Sequence, residues 1–253
     1  MPVPSGTASL LDIQNEFGGS APISLSEYYG SASGVPTSGA ISINTFRGKS
    51  AFNYSWTGSY GGNGATGQGS YSFGLSFGTA ADNRVVVAVG NSAYGQDSVG
   101  SVYIGGKLAK LHAQAGGTYS RSFIASAWLP SGYGTSGTVT VNYNGGMTGR
   151  VGVTTYVMYG LASSDSYNHY SAQTGANGSY GRTIATQPGR AVFGTVSDAD
   201  GFAGNWTGLV ENVGFGPGHG KVEMASVLAS GTSLFINCTS TASNRGSVTY
   251  VSF

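Results

Sequence analysis

The chain has 253 residues, of which 44 are glycine and only 8% are charged, and its formal net charge at pH 7 is +1. Because the few lysines and arginines are scattered singly, we exclude nucleic acid as a partner, since phosphate binding needs clustered basic side chains. The 16 Tyr, 11 Phe and 3 Trp exclude an intrinsically disordered chain, which is poor in aromatic residues. The composition instead favours many short strands joined by tight turns.

The first fifty residues repeat one pattern three times, at 8–18, 23–30 and 41–48. In each unit an apolar residue precedes a serine, a short run ends in an aromatic residue, and a glycine follows. The serines Ser9, Ser24 and Ser42 are suited to cap a helix, and the residue three positions later completes or approximates a capping box. The pattern therefore predicts three very short helices, each ended by glycine and too short to be stable alone.

From Phe52 onward the apolar period changes to two residues, which predicts strands. The run 84–89 is apolar on both faces, which indicates a central strand in a sheet that is covered on both sides. The other strand candidates are 52–57, 71–77, 101–104, 107–112, 122–128, 138–143, 151–159, 190–196, 221–228, 233–238 and 247–253. The sequence thus predicts a mainly β chain: a short-helix module over 1–50, then a Gly/Tyr-rich antiparallel β-sandwich over 51–253, with a jelly roll as the favoured form.

Residues suited to catalysis are scarce, with three histidines, ten acidic residues and one cysteine in the whole chain. We find no nucleophile elbow, HExxH motif or paired cysteines, so we expect no enzyme activity, cofactor or metal. Asp198 and Asp200 lack the other ligands of an EF-hand loop, which favours a turn over a calcium site. His112 and Cys238 follow or lie in apolar stretches and are predicted to be buried structural residues.

A glycan-degrading enzyme is the catalytic alternative, and it would need two carboxylates about 5 to 10 Å apart. The acidic residues available to it in the second half are Asp165, Asp198, Asp200, Glu211 and Glu223.

Aromatic side chains in predicted loops are the candidates for contact with a receptor or glycan. Tyrosine offers a large contact area for little loss of entropy. The candidates are Tyr60, Tyr94, Tyr133, Tyr167, His169, Tyr170 and Tyr180. The competing interpretation is that these rings fold down over sheet edges as lids.

The segments 12–19, 22–29, 38–42 and 46–49 together resemble an N-terminal module of structural proteins of tailed bacteriophages, with Asn44-Thr45 where that family has Ser-Asp. Segments 102–106 and 156–161 are more loosely similar to Gly-rich β-sandwich domains of phage virion proteins. The resemblance implies a virion component, made in the host cytoplasm, whose module docks onto a neighbouring virion protein and whose sandwich projects as a tail fibre or spike. It also implies a homo-oligomer. The docking residues expected from it are Leu10, Ile13, Phe17, Leu25, Tyr28, Tyr29, Ile43 and Phe46.

Two other functions remain open at this point. A capsid decoration or head-fibre protein would share the same module, and a free carbohydrate-binding module would explain the sandwich but leave the triple helical unit unexplained. The sequence contains no secretory signal and no apolar run approaching the roughly 18 residues of a membrane span, so we expect no membrane insertion.

Overall fold

A computed structural model describes residues 3–19, 21–32, 34–49, 52–63, 67–93, 97–116, 120–145, 149, 151–161, 164–173, 179–187, 189–198, 205–215, 221–239 and 246–253.

The N-terminal module contains the three predicted short helices: α1 (Leu10–Phe17), a 3₁₀ helix (Leu25–Tyr28) and α2 (Ile43–Phe46). The capping boxes form as the sequence predicts. The Ser9 amide donates to the Asp12 carboxylate at 2.7 Å, and the Ser24 amide donates to Glu27 Oε1 at 2.9 Å. Residues 48–49 pair with Val3, since the Val3 amide donates to the Lys49 carbonyl at 2.8 Å. The module is thereby closed on itself.

The module also has a hydrophobic core of its own. Ile13 and Phe46 are fully buried in it, and Tyr28 is nearly so. The Phe17 and Phe46 rings meet edge to face with centroids 5.8 Å apart, and Tyr28 meets Phe46 at 6.0 Å. Helices that are too short to stand alone are therefore stabilised by burial against one another.

Seventeen strands make up the described part of the rest of the chain, in two groups that follow one another in sequence. The first group is β1 (Asn53–Asn63), β2 (Ser70–Ser76), β3 (Val85–Ala93), β4 (Val99–Ile104), β5 (Lys107–Leu108), β6 (Lys110–Gly116), β7 (Ser120–Trp128), β8 (Ser136–Tyr143) and β9 (Val151–Tyr159). The second group is β10 (Asn168–Gln173), β11 (Arg182–Ala185), β12 (Ala191–Asp198), β13 (Asn205–Thr207), β14 (Val210–Phe215), β15 (Lys221–Leu228), β16 (Ser233–Thr239) and β17 (Ser247–Ser252). Four of these, β10, β11, β13 and β14, were not predicted from the sequence.

Each group forms an antiparallel β-sandwich. In the first sandwich a five-stranded inner sheet, β1-β9-β3-β7-β6, faces a four-stranded outer sheet, β2-β8-β4-β5. In the second, the inner sheet β10-β17-β12-β15-β14 faces a three-stranded outer sheet, β11-β16-β13. A third hydrophobic cluster joins the two inner sheets. The described strands are therefore stacked in four layers.

The prediction for the run 84–89 is confirmed. Strand β3 lies in the middle of the first inner sheet, and its residues 85–89 are fully buried. Val86 and Ala88 face the outer sheet of their own sandwich, whereas Val85, Val87 and Val89 face the second sandwich. Both faces of this strand are apolar because both are covered.

The two sandwiches have the same strand order. When the two strand orders are aligned, seven pairs of strands occupy equivalent places: β1/β10, β2/β11, β3/β12, β4/β13, β7/β15, β8/β16 and β9/β17. The backbone supports the equivalence in detail: the Leu129 amide donates to the Arg84 carbonyl at 2.9 Å, and the Ala229 amide donates to the Arg190 carbonyl at 2.8 Å. The mainly β, antiparallel sandwich predicted after a small helical region is confirmed, but the segment 51–253, predicted as one sandwich, contains two copies of one architecture. The jelly-roll form stays a prediction.

Both sandwiches point the same way. Asn53 pairs with Tyr159 at the end where the chain enters from the module, and Arg190, at the equivalent end of the second sandwich, lies against the module. Farther along, the Ser197 hydroxyl donates to the Ser92 carbonyl at 2.9 Å. We call these two ends of the stack the module-side end and the distal end. The connections 64–69, 94–98, 117–119, 144–150, 174–181, 199–204, 216–220 and 240–246 join strand ends that lie at the distal end.

Candidate functional site

Among the described residues, no group of three or more His, Cys, Asp or Glu side chains is placed to hold a metal ion. His112 Nε2 lies 2.7 Å from Ser126 Oγ, but the Ser126 hydroxyl donates to the Ser164 carbonyl at 2.7 Å. The imidazole ring is buried edge-on against Phe253, and this burial lowers the pKa of His112 to about 4. His112 is therefore a neutral interior residue that helps to hold the two sandwiches together.

Two of the carboxylates considered for a glycosidase, Asp165 and Glu223, are engaged in unrelated places. Asp165 is exposed and forms an ion pair with Lys110 at 2.6 Å, which lowers the pKa of the Asp165 carboxyl group. Glu223 is fully buried and accepts a hydrogen bond from Trp206 Nε1 at 3.0 Å. Asp200, the second half of the calcium pair considered with Asp198, lies outside the described residues. Cys238 is a buried free thiol, as predicted.

The aromatic side chains expected to contact a receptor do not form one surface. Tyr60 is exposed but lies in the edge strand β1 rather than in a loop. Tyr133, in a 3₁₀ turn (Ser131–Tyr133), and Tyr167, whose amide donates to the Ser252 carbonyl, are exposed at the module-side end. Tyr94 lies outside the described residues.

Two further candidates are lids, as the competing interpretation proposes. Tyr180 is only 4% exposed, so its assignment to an exposed loop is wrong. Tyr170 belongs to strand β10, stacks on Tyr250 with centroids 6.1 Å apart, and is covered by the Arg182 guanidinium at 4.9 Å. His169, also in β10, remains exposed. Neither of the β10 side chains lies in the loop where the sequence had placed it.

The expected docking residues are divided between the interior and the surface of the module. Ile13, Tyr28 and Phe46 are buried in the module's core, so these three side chains are unable to contact a partner without opening the module. Five others, Leu10, Phe17, Leu25, Tyr29 and Ile43, are half-buried.

Leu11, a large hydrophobic side chain of the module that is 59% exposed, was missed by the sequence analysis. Helical spacing would have found it, because Leu10, Ile13 and Phe17 share the inner face of α1 and Leu11 lies about 100° away from Leu10.

A pocket of about 640 Å³ lies between the module and the module-side end of the second sandwich. The module lines it with Tyr29, Val35 and Thr37 among others, and the sandwich lines it with Gln187, Gly189 and Arg190. Such a volume falls within the usual range of small-molecule sites. The sequence analysis did not predict this pocket, because its two walls are about 150 residues apart in the chain.

No helix in the described part of the chain is long and apolar enough to cross a membrane. Comparison with known proteins found no matching family model, no matching curated protein and no matching solved structure.

Proposed function

We propose that this protein is a non-enzymatic structural component of a tailed-bacteriophage virion. The module attaches to a neighbouring virion protein, and the two stacked sandwiches project from it as part of a tail fibre or spike, with their distal end outward and available to a host receptor. The same surface would serve a capsid decoration or head-fibre protein, so the place on the particle is decided by experiment.

One observation carries the proposal: the module has its own hydrophobic core and lies at one end of the stacked sandwiches. A small domain with its own core at the end of a larger body is suited to attachment, because it can bind a partner without disturbing the rest. The connections that begin and end at the distal strand ends are rich in Gly, and loops at one end of a sandwich are common sites of recognition.

We further propose that each sandwich is a jelly roll. In the first sandwich, the order β1-β9-β3-β7 faces β2-β8-β4-β5, with the chain passing repeatedly between the two sheets. This is the arrangement expected of eight antiparallel strands wound as two Greek keys. The second sandwich supports the proposal with the equivalent order β10-β17-β12-β15 facing β11-β16-β13.

The attachment role is tested with two matched exposed leucines, Leu11 on the module and Leu108 on the first sandwich, which are 59% and 62% exposed. Burial of one leucine side chain is worth about 1.5–3 kcal/mol, or roughly a 10- to 150-fold change in binding. We therefore expect Leu11→Glu to reduce incorporation into purified particles at least tenfold, and Leu108→Glu to leave it unchanged. Equal incorporation of the two variants, both folded by circular dichroism, would contradict attachment through this face.

The position on the particle is tested by labelling. Gold-labelled antibody against the full chain, viewed on intact particles, is expected at the tail. Label confined to the head would replace the tail-fibre assignment with that of a capsid decoration protein, and absence of the chain from particles would refute both.

A further inference from the structure

Two arginines occupy equivalent positions in the two sandwiches. Arg84 immediately precedes β3 and Arg190 immediately precedes β12. Each carbonyl accepts a hydrogen bond from the residue just after the neighbouring strand, Leu129 after β7 and Ala229 after β15. Both side chains are at least nine-tenths buried. Their surroundings, however, differ in a way that gives each a distinct role.

The Arg84 guanidinium is bound entirely by its own sandwich. Its Nε donates to the Leu129 carbonyl at 2.9 Å and its Nη1 to the Gly134 carbonyl at 2.6 Å. Longer contacts of 3.4 Å reach the carbonyls of Phe77, Gly78 and Pro130. With so many acceptors around it, this buried charge is satisfied without an acidic partner.

The Arg190 guanidinium has no such set of acceptors. Its Nη1 is buried and has no hydrogen-bond partner, and its charge lies 4.9 Å above the Phe52 ring, which fixes its orientation from one side. Among the described residues no carboxylate forms an ion pair with it, and burial alone lowers the pKa of Arg190. Arg190 is 8% exposed and lines the pocket between the module and the second sandwich. A buried, uncompensated guanidinium beside a cavity is suited to an anion from outside.

The rest of the pocket defines the kind of anion. Among the described residues that line it, Arg190 carries a positive charge and none is acidic. Tyr29, which is half-buried, offers an aromatic ring that can pack against the face of a sugar ring. Thr37 and Gln187 offer hydroxyl and amide groups to its hydroxyls. The planar guanidinium fork can bind two oxygens of a carboxylate or of a phosphate.

We propose that this pocket binds an acidic sugar, with the carboxylate of a hexuronic acid on Arg190 and the sugar ring against Tyr29. The site is formed jointly by the module and the second sandwich, and it is distinct from the surface around Leu11. Ligand binding to the purified chain and incorporation into particles are therefore separate measurements, and failure of either leaves the other intact.

The test is isothermal titration calorimetry of the full chain at low ionic strength with four probes: glucuronate, glucose, acetate and inorganic phosphate. Glucuronate and glucose differ only in a carboxylate in place of a hydroxymethyl group. We expect glucuronate to bind with a Kd of about 1 mM or tighter. We expect glucose to bind at least tenfold more weakly, and acetate and phosphate more weakly still.

Two pocket variants and one control make the result specific. Arg190→Gln should weaken glucuronate binding at least tenfold, because the charge-assisted contact to the carboxylate is lost. It should leave glucose binding unchanged, because glucose has no carboxylate. Thr37→Val should weaken both sugars, and it tests the pocket independently if Arg190→Gln fails to fold. The control Arg182→Gln removes an exposed arginine outside the pocket and should leave both affinities unchanged.

Three results would overturn the proposal: no glucuronate binding, glucuronate binding that is unaffected by both pocket variants, or acetate or phosphate binding as tight as that of glucuronate. The last result would define a bare oxyanion site in which the sugar ring plays no part.

Discussion

Exchanging each of the equivalent arginines for methionine should have unequal effects on stability, although both are buried at the same place in the same architecture. Methionine keeps most of the apolar stem and removes only the guanidinium. The two variants therefore compare a satisfied buried charge, at Arg84, with an unsatisfied one, at Arg190, in a single molecule.

The expected magnitudes follow from the contacts. Arg84 makes two short hydrogen bonds, of 2.9 and 2.6 Å, and a bond to a charged group contributes about 1.5–3 kcal/mol. The three contacts at 3.4 Å add little. Arg84→Met should therefore lower the free energy of unfolding by about 3–5 kcal/mol. Arg190→Met loses a cation–π contact worth about 0.5–2 kcal/mol but relieves the desolvation of an unpartnered charge, so its net effect should stay within about 1 kcal/mol.

Urea unfolding followed by tryptophan fluorescence measures both changes, and calorimetry adds the melting temperature. At about 2–4 °C per kcal/mol for a domain of this size, Arg84→Met should lower the melting temperature by roughly 10 °C. The reasoning is refuted if Arg84→Met costs less than about 1 kcal/mol, or if Arg190→Met is as destabilising as Arg84→Met.

Three other predictions concern pH, the module and the backbone. The pKa of His112 is lowered to about 4 in the folded chain, so between pH 6.5 and pH 4 the unfolded chain protonates this imidazole more readily than the folded chain does. The free energy of unfolding should therefore fall by about 3 kcal/mol as the pH drops from 6.5 to 4. His112→Gln should remove this part of the pH dependence in urea titrations; an unchanged slope would contradict it. Phe46→Ala should lower the free energy of unfolding of the module by about 3–5 kcal/mol without opening the sandwiches. Amide hydrogen exchange should therefore speed up at Ile13 but not at Val87. An equal change at both residues would argue against a separate module core. Gly208→Ala should lower the free energy of unfolding by more than about 3 kcal/mol, because a Cβ there meets the Phe235 carbonyl. Gly106 also has a positive φ but open space around it, so Gly106→Ala should lower the free energy by only about 1–2 kcal/mol. Equal midpoints of the two variants in thermal unfolding would show that the crowding at Gly208 is relieved.

Local rules explain what the sequence predicted well. The capping boxes at Ser9 and Ser24 form as expected because they depend only on residues three positions apart. The double-faced apolar run at β3 identified a strand buried on both sides, because only such a strand has no polar face. Cys238 was assigned correctly to the interior from its apolar neighbours.

The second sandwich escaped detection for an equally physical reason. Strands β10, β11 and β13 are short, polar and largely exposed, so their periodicity is weak. Whether seventeen strands form one sandwich or two depends on which strands pair across the chain, and local alternation carries no information about that.

The contact surfaces were harder still to predict. Tyr180 has the neighbours of a loop aromatic, but its ring fills the space left by the missing side chain of Gly246, about 65 residues later in the chain. The pocket at Arg190 exists only because the module lies against the second sandwich. A residue's exposure is set by such distant neighbours. Ile13 and Phe46 were predicted to dock onto a partner because they are apolar, but they are buried in the core of the module itself.

The contact between the two inner sheets also constrains how the protein is made. The first sandwich is complete in sequence at β9, yet Val87, Tyr156 and Met158 on its inner sheet pack in one cluster with residues of the second half, among them Phe193 and Val251. Synthesis of residues 168–252 takes roughly 4 to 17 s at typical ribosome speeds. During that interval an apolar sheet face is open to other nascent chains, so biosynthesis of this protein depends on how well the cell protects a half-finished molecule.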